Sequence, residues 1–323
     1  MSLKSTFRIL LLAGLGSLAV LAPALAQEKL KVVATFSILG DLTQRIGGDA
    51  IALTTLVGPD LDSHGFEPNA ADQRAVAGAD VLIANGLGFE TWLARLTEAA
   101  DFKGRLVVAT EGIAALPWEE HEDEHAHEDE HAEEGQAEEE HAEEGHDHGD
   151  FDPHAFQDAH LVLTYIDNIA AGLSAAEPAQ AALFSKNAGA LKAEFAALDA
   201  ELKASLGALP AERRRVLTSH DAFGYFAHAY GIEFVGLQGV STEGEPTAQD
   251  LKHVIEQIKD GKIQAVFLEN MSDPRFVETL AADTGIKVGG ALYADALSGP
   301  DGPAPDLLSL FRHNQSELLK ALQ

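Results

Sequence analysis

Glu67-Pro68-Asn69-Ala70-Ala71-Asp72 returns as Glu245-Pro246-Thr247-Ala248-Gln249-Asp250, with four of the six residues unchanged. Each copy opens a helical pattern that leads into an apolar strand ending in asparagine, Asn85 in one case and Asn270 in the other. The echo extends upstream: Thr35-Phe36-Ser37 precedes a helical run ending at Gly47, and Thr218-Ser219-His220 precedes one ending at Gly231. A hexapeptide can recur by chance, but here the flanking elements recur in the same order. The chain therefore reads as two half-chains of like architecture with a cleft between them.

Around the first copy, residues 31–36 read as a buried strand, 39–46 as a helix closed by Gly47-Gly48, and 51–57, 79–84 and 105–109 as further strands. Helices starting near Pro68 and spanning 92–99 separate them. Around the second copy, strands over 215–218, 232–237, 264–268 and 287–292 alternate with helices over 222–230, 247–259 and 275–283, and a last helix starts near Leu307. Strands spaced by helices require parallel pairing with helical crossovers. The expected fold is α/β, with two lobes, each a mainly parallel sheet flanked by helices.

Between the halves the pattern is helical, broken once at Glu177-Pro178. Residues 178–206 place Leu183, Phe184, Leu191, Phe195, Leu198, Leu202 and Leu206 at helical spacing, and at ~1.5 Å per residue would run roughly 40 Å. Such a helix is longer than one small domain needs and suits a linker joining two lobes. The expected organisation is a signal segment over 1–26, an N-terminal lobe over 27–176, the linker helix over 178–206 and a C-terminal lobe over 211–323.

Residues 119–150 break this pattern. They hold seven histidines (His121, His125, His127, His131, His141, His146 and His148) and seventeen acidic residues, with no lysine or arginine. A run with so little apolar surface and so much like charge cannot offset the entropy of ordering, so a disordered loop is expected. An acidic linker would need no histidine, yet half of the chain's fourteen lie here. Imidazole and carboxylate are ligands of zinc and its neighbours, which makes the run a candidate metal-collecting loop.

The first 26 residues carry Lys4 and Arg8, an apolar run over 9–21, and Ala24-Leu25-Ala26. These are the parts of a cleavable secretory signal, and the periplasm is the expected location. The chain has no cysteine, hence no disulfide, no thiolate metal site and no cysteine to bear a lipid. Its formal net charge of −30 argues against nucleic acid as a partner and for cations. A monomer is expected.

Outside the loop, three histidines stand in unusual company: His64 in the turn-rich segment after a strand, His154 after Asp152-Pro153, and His220 at a strand end. Open parallel sheets bind ligands at the carboxyl ends of their strands, and Asp295 lies just past another such end. Three imidazoles and a carboxylate would fill a tetrahedral zinc shell, two from each half-chain. Each also has a structural reading: His220 could support the start of the next helix, and Asp295 could be a solvated loop carboxylate. His160, His228, His253 and His313 fall in helical patterns and are assigned to helix surfaces or satisfied packing.

Four segments together resemble the metal-contacting motifs of the zinc and manganese substrate-binding proteins of bacterial ABC importers. They are Ser63-His64-Gly65-Phe66-Glu67-Pro68, Asp152-Pro153-His154-Ala155-Phe156, Ser219-His220-Asp221-Ala222-Phe223-Gly224-Tyr225-Phe226 and Tyr293-Ala294-Asp295. Their order is that of the family, the resemblance covers the whole mature chain, and the histidine-rich insert is similar to that of the zinc-uptake branch. The resemblance implies two α/β lobes bridged by a long helix, a metal ion at their interface held by His64, His154, His220 and Asp295, and a membrane permease as partner. It also bears on the metal, because manganese and iron members generally have glutamate where this chain has His220, and nitrogen donors favour zinc. Copper and nickel remain open by softness alone. Ser63 stands where some zinc members have a carboxylate, and Ala159 where a proline is common. Water can replace the carboxylate in some three-histidine sites, which leaves Asp295 or water as the fourth ligand.

The expected function is capture of Zn2+, as cargo, and its delivery to an ABC permease. A manganese or iron carrier, a zinc buffer and a zinc-dependent hydrolase are the alternatives. His64-Gly65-Phe66-Glu67 has the His-x-x-Glu spacing of some zinc peptidases, but Glu245-Pro246 repeats the glutamate with no histidine three residues before it. With no His-Glu-x-x-His, Gly-x-Ser-x-Gly or phosphate loop, no catalytic residue is assigned.

Overall fold

A computed structural model of the chain describes residues 28–118, 151–238, 242, 248–271 and 274–323. Residues 1–27, the acidic run 119–150 and the front of the second hexapeptide lie outside the described residues. The run Leu30–Phe36 forms β1, buried at every position except Lys31. Around it, β2 (Ile51–Val57), β3 (Val81–Ala84) and β4 (Arg105–Val108) complete a sheet of order β2-β1-β3-β4, parallel throughout. In the second half, β5 (Arg215–His220), β6 (Glu233–Gln238), β7 (Ala265–Glu269) and β8 (Val288–Leu292) form a parallel sheet of order β6-β5-β7-β8. The two orders are the same, so the repeated hexapeptide marks a repeated architecture.

The hexapeptide is a helix-start signal. Helix α1 covers Ser37–Gly47 and α2 covers Ala70–Ala77. The Asn69 side chain accepts from the Ala71 N–H at 2.7 Å, and Asp72 accepts from the Asn69 N–H at 2.8 Å, a reciprocal cap on two otherwise unpaired donors. The rest follow as α3 (Leu93–Ala99), α4 (Val162–Ala176), α5 (Ala181–Leu206), α6 (Gly224–Tyr230), α7 (Ala248–Lys259), α8 (Pro274–Thr284) and α9 (Leu307–Leu322). Helix α7 starts at Ala248, in the same register to its hexapeptide as α2. Glu67 is exposed.

The long helix begins at Ala181 rather than Pro178. Proline biases the residue before it away from helical angles, so Glu177 leaves the helical region, with φ −131° and ψ 78°, and Pro178–Gln180 makes a separate 3-10 turn. From there α5 buries Phe184, Ala188, Leu191, Phe195, Leu198, Leu202 and Leu206 along one stripe. The stripe packs against α1 and α4 of the first lobe and against α6 and α9 of the second. One hydrophobic core therefore runs from Leu30 through α5 to Leu322, while Leu217, Val254, Ile258, Val266, Val277 and Leu280 form a smaller cluster beneath α7 and α8.

Polar contacts also cross between lobes. Asp60 accepts from the Asn270 side chain at 3.0 Å and from the Gly299 N–H at 3.1 Å, and Ser37 accepts from the Leu297 N–H at 3.0 Å. Asp41 in α1 accepts from the Leu307 N–H at the start of α9, at 3.1 Å. Burial pushes the Asp41 carboxyl up to about 6, with Leu307 and Arg45 pulling partly the other way and Asp306 and Glu194 adding to the rise. A raised carboxyl means that the folded chain holds the proton more tightly than the unfolded one. Charged Asp41 is therefore destabilising above about pH 6, and the effect fades as pH falls toward 4. Asp41→Asn keeps the acceptor for Leu307 and should stabilise the protein at pH 7.5 by about 1–3 kcal/mol, the upper end assuming no solvent screening. Urea unfolding of both proteins checks this: the gap should nearly close at pH 4, and equal stabilities at pH 7.5 would refute it.

Candidate metal centre

In sheets of this order the chain leaves the central strand to one side and returns on the other, which opens a crevice at the strand ends. His220 is the last residue of β5 and Glu269 the last of β7. Neighbouring parallel strands in the register Val216 to Ala265 bring these two side by side. Glu269 Oε1 accepts from the Ser219 and His220 N–H groups at 2.7 and 3.0 Å, and Oε2 takes the hydrogen bond from His220 Nδ1. That fixes the imidazole with Nε2 turned toward the first lobe.

His154 is held in a like manner. Asp152 Oδ1 accepts from the His154 N–H at 2.9 Å and from its Nδ1 at 2.8 Å. The Pro153 carbonyl accepts from Asn85 Nδ2 at 2.8 Å, and Tyr165 donates to Asn85 Oδ1 at 2.8 Å. In the loop after β2, Asp62 accepts from the His64 N–H at 2.9 Å, and the Trp92 indole donates to the Ser63 carbonyl at 3.0 Å. The rings of Phe89 and Phe156 stand edge-on to this group, Phe89 at 4.8 Å from His64 and Phe156 at 5.8 Å from His154.

The result is a convergence of all four candidates. Asp295 Oδ2 lies 3.2 Å from His64 Nε2 and 3.0 Å from His220 Nε2, Oδ1 lies 3.5 Å from His154 Nε2, and the His64 and His154 Nε2 atoms are 3.4 Å apart. Donors bound at ~2.0–2.1 Å around a tetrahedral zinc ion stand about 3.3–3.4 Å from one another. His64 is 5 % exposed and the other three are wholly buried. Asp295 Oδ1 has no hydrogen-bond partner. A buried carboxylate oxygen left unpaired among imidazole nitrogens is a donor set suited to a cation.

The electrostatics agree. Burial works to raise the Asp295 carboxyl, but His154 and His220 outweigh it and hold it well below the usual carboxylate range. Burial lowers His64, and Asp295 offsets this only in part. For His220, burial is overcome by Glu269 and Asp295, which hold the imidazole well above its ordinary value. His154 is also raised, Asp295 and Asp152 overcoming burial. The metal-free site thus draws in positive charge.

Among the described residues this is the one group of three or more histidines and carboxylates close enough to share an ion. His160, His228 and His253 are exposed, and half-buried His313 donates from Nε2 to the Ala291 carbonyl at 2.8 Å. The seven loop histidines lie outside the described residues. Sequence reasoning missed Asp152 and Glu269. Asp152 was visible in Asp152-Pro153-His154, since an Asp two residues before a histidine can reach its N–H. Glu269 needed the register of β5 against β7.

Gly224, the first residue of α6, offers a probe of this support. A Cβ there would run into the Asp152 carboxylate. Alanine is ordinarily the better helix former by about 0.5–1 kcal/mol, so Gly224→Ala should cost little helix stability. By displacing the partner of His154 Nδ1 it should lower metal affinity about tenfold, as loss of a ligand's outer partner does. Isothermal titration with Zn2+ checks this, and an unchanged affinity would mean that Asp152 does not hold the ring.

The fold has known counterparts. The chain is 32% identical to the iron-binding protein YfeA of Yersinia pestis, over 97% of this chain and 94% of that one. It is 30% identical to the manganese-binding lipoprotein MntA of Halalkalibacterium halodurans, over 91% and 89% of the two chains. The solved structure of the periplasmic zinc-binding protein TroA from Treponema pallidum superposes with a TM-score of 0.78 at 28% identity, covering 91% of this chain and 99% of that one. Residues 32–321 match the family described as zinc-uptake complex component A, periplasmic (ZnuA), and the chain belongs to that family, the extracytoplasmic metal-binding components of ABC importers rather than enzymes.

Proposed function

We propose that the chain captures Zn2+ in the periplasm through His64, His154, His220 and Asp295 and delivers it to an ABC permease. The observation that carries this reading is the convergence of three imidazole Nε2 atoms on one buried carboxylate, with the four ligand atoms all within 4.8 Å of one another. Three nitrogens and one oxygen favour zinc over manganese at equal geometry. His64 and His154 come from the first lobe, His220 and Asp295 from the second, so the ion binds where the lobes meet. Because a continuous core and several hydrogen bonds already join the lobes, the ion adds to an existing interface rather than creating it.

The loop histidines His121, His125, His127, His131, His141, His146 and His148 act as accessory collectors in this scheme. The described chain leaves for the loop after Trp118 and returns at Phe151, three residues before His154, with Pro117 and Phe151 paired in an isolated bridge. The field of so many carboxylates reaches ~8–10 Å at physiological salt and raises the local cation concentration. The leader is removed on export, and the mature chain has no cysteine to carry a lipid. No described helix is long and apolar enough to cross a membrane.

Relatives named for iron and manganese favour a second reading, in which the same site carries those ions. Competition titration decides between them. Zn2+ should displace Mn2+ with an affinity at least 100-fold higher, and comparable affinities would support the second reading. Deleting residues 119–150 should lower the number of Zn2+ ions bound while leaving one tight site. Loss of the tight site on deletion would contradict the accessory role.

A further inference from the structure

Gln157 lies three residues past His154 and is fully buried. It closes the 3-10 turn Ala155–Gln157 in the first lobe, yet its side chain reaches the second, where Nε2 donates to the Ala294 carbonyl at 2.6 Å. The other amide atom, Oε1, is buried without a hydrogen-bond partner. A leucine or methionine would fill a similar volume and leave no amide oxygen unpaired, so the glutamine is a costly choice for packing alone. What the amide adds is a single bond, and that bond falls on the peptide just before Asp295.

The segment carrying Asp295 is gripped from its own lobe as well. Asn314 in α9 accepts from the Tyr293 N–H at 2.9 Å and donates to the Tyr293 carbonyl at 2.8 Å. Asn314 thus fixes the segment to the second lobe, and Gln157 fixes it to the lobe that carries His64 and His154. Among the described residues the Asp295 carboxylate meets only the three imidazoles: Oδ2 faces His64 and His220, and Oδ1, which has no hydrogen bond, lies 3.5 Å from His154 Nε2. Its reach toward the first lobe is therefore set in part by the backbone that carries it.

We infer that Gln157 is a positioning residue for the oxygen ligand, tying Ala294 to the His154 turn and so setting how far Asp295 stands from the imidazoles of the first lobe. The inference rests on the ligand set proposed above. It bears on metal choice, because zinc can complete its shell with three histidines and water, whereas manganese depends on oxygen donors. Loosening Asp295 should cost manganese more than zinc.

The test uses the full chain with Gln157→Met, titrated with Zn2+, Mn2+ and Co2+. Zn2+ affinity should fall about tenfold, Mn2+ affinity should fall further, and the visible spectrum of the Co2+ form, which reports ligand geometry, should change. Melting of the metal-free protein should stay close to that of the parent. In an Asp295→Ala background, Gln157→Met should add nothing, since both act through one ligand. A general packing defect would lower affinity in both backgrounds, and that result would overturn the inference, as would unchanged affinities and spectrum in the single variant. Should Gln157→Met not fold, Gln157→Asn keeps the amide but falls a methylene short of Ala294, and the same readings apply. His154→Ala separates the two claims. If tight Zn2+ binding survives it, the ligand set fails; if binding is lost while Gln157→Met is neutral, only the role of Gln157 fails.

Discussion

His220→Ala is expected to lower Zn2+ affinity at pH 7 by about two orders of magnitude. Four-ligand zinc sites bind with roughly 10–16 kcal/mol, so one ligand accounts for about 3 kcal/mol, somewhat more than a hundredfold. The loss goes beyond a missing nitrogen, because Glu269 would remain buried beside the gap with its His220 partner gone. Glu269→Gln should show the outer contribution by itself, a fall of about 10–100-fold, since the ring keeps its place but loses its anionic partner. The pH profile adds a second check. A protonated imidazole cannot bind metal, and Glu269 and Asp295 hold His220 protonated above the ordinary histidine range. Zinc must expel that proton, so parent affinity should rise with pH through 6.5 and beyond, and the His220→Ala profile should be flatter. Chelator competition across pH 5.5–8 measures both. An alanine variant within threefold of the parent would remove His220 from the ligand set.

The lobes were legible because parallel α/β structure writes itself locally. Each strand is a short apolar run, each helix a 3.6-residue pattern, and the hexapeptide announces the start of a helix twice. Register was not legible, and with it went Glu269, which reaches His220 only because β7 lies beside β5 at a fixed offset. The four converging residues could be found because His220 and Asp295 lie at or just past strand ends, where open parallel sheets bind ligands, and because the four motifs resemble a family's. Their supporting atoms could not: Asn85, Tyr165 and Gln157 are ordinary residues until the fold brings them to the His154 turn. Asp41 shows the same limit. In sequence it is one carboxylate on a helix, and only the packing of α1 against α9 makes it a cap with a raised proton affinity.

Phe195→Ala should destabilise the metal-free protein by about 3–5 kcal/mol, the usual cost of emptying a buried aromatic site. Phe195 is fully buried near the middle of α5, with its ring 6.4 Å from that of Phe311 in α9. It belongs to the core that extends from β1 of the first lobe to the last turn of α9. Because that core is continuous, neither lobe can lose its packing and leave the inner face of the other dry. Unfolding should therefore be a single transition despite the two sheets, with near-UV and far-UV signals coincident in urea, and Phe195→Ala should move that one transition to lower denaturant. Leu280→Ala, in the small cluster beneath α7 and α8, makes the contrast. Its cost of about 2–5 kcal/mol falls on the outer side of the second lobe, and Zn2+ affinity of the folded protein should be unchanged. Two separated transitions in the parent would show that α5 links the lobes without coupling them, and the ion would then be the principal tie across the cleft.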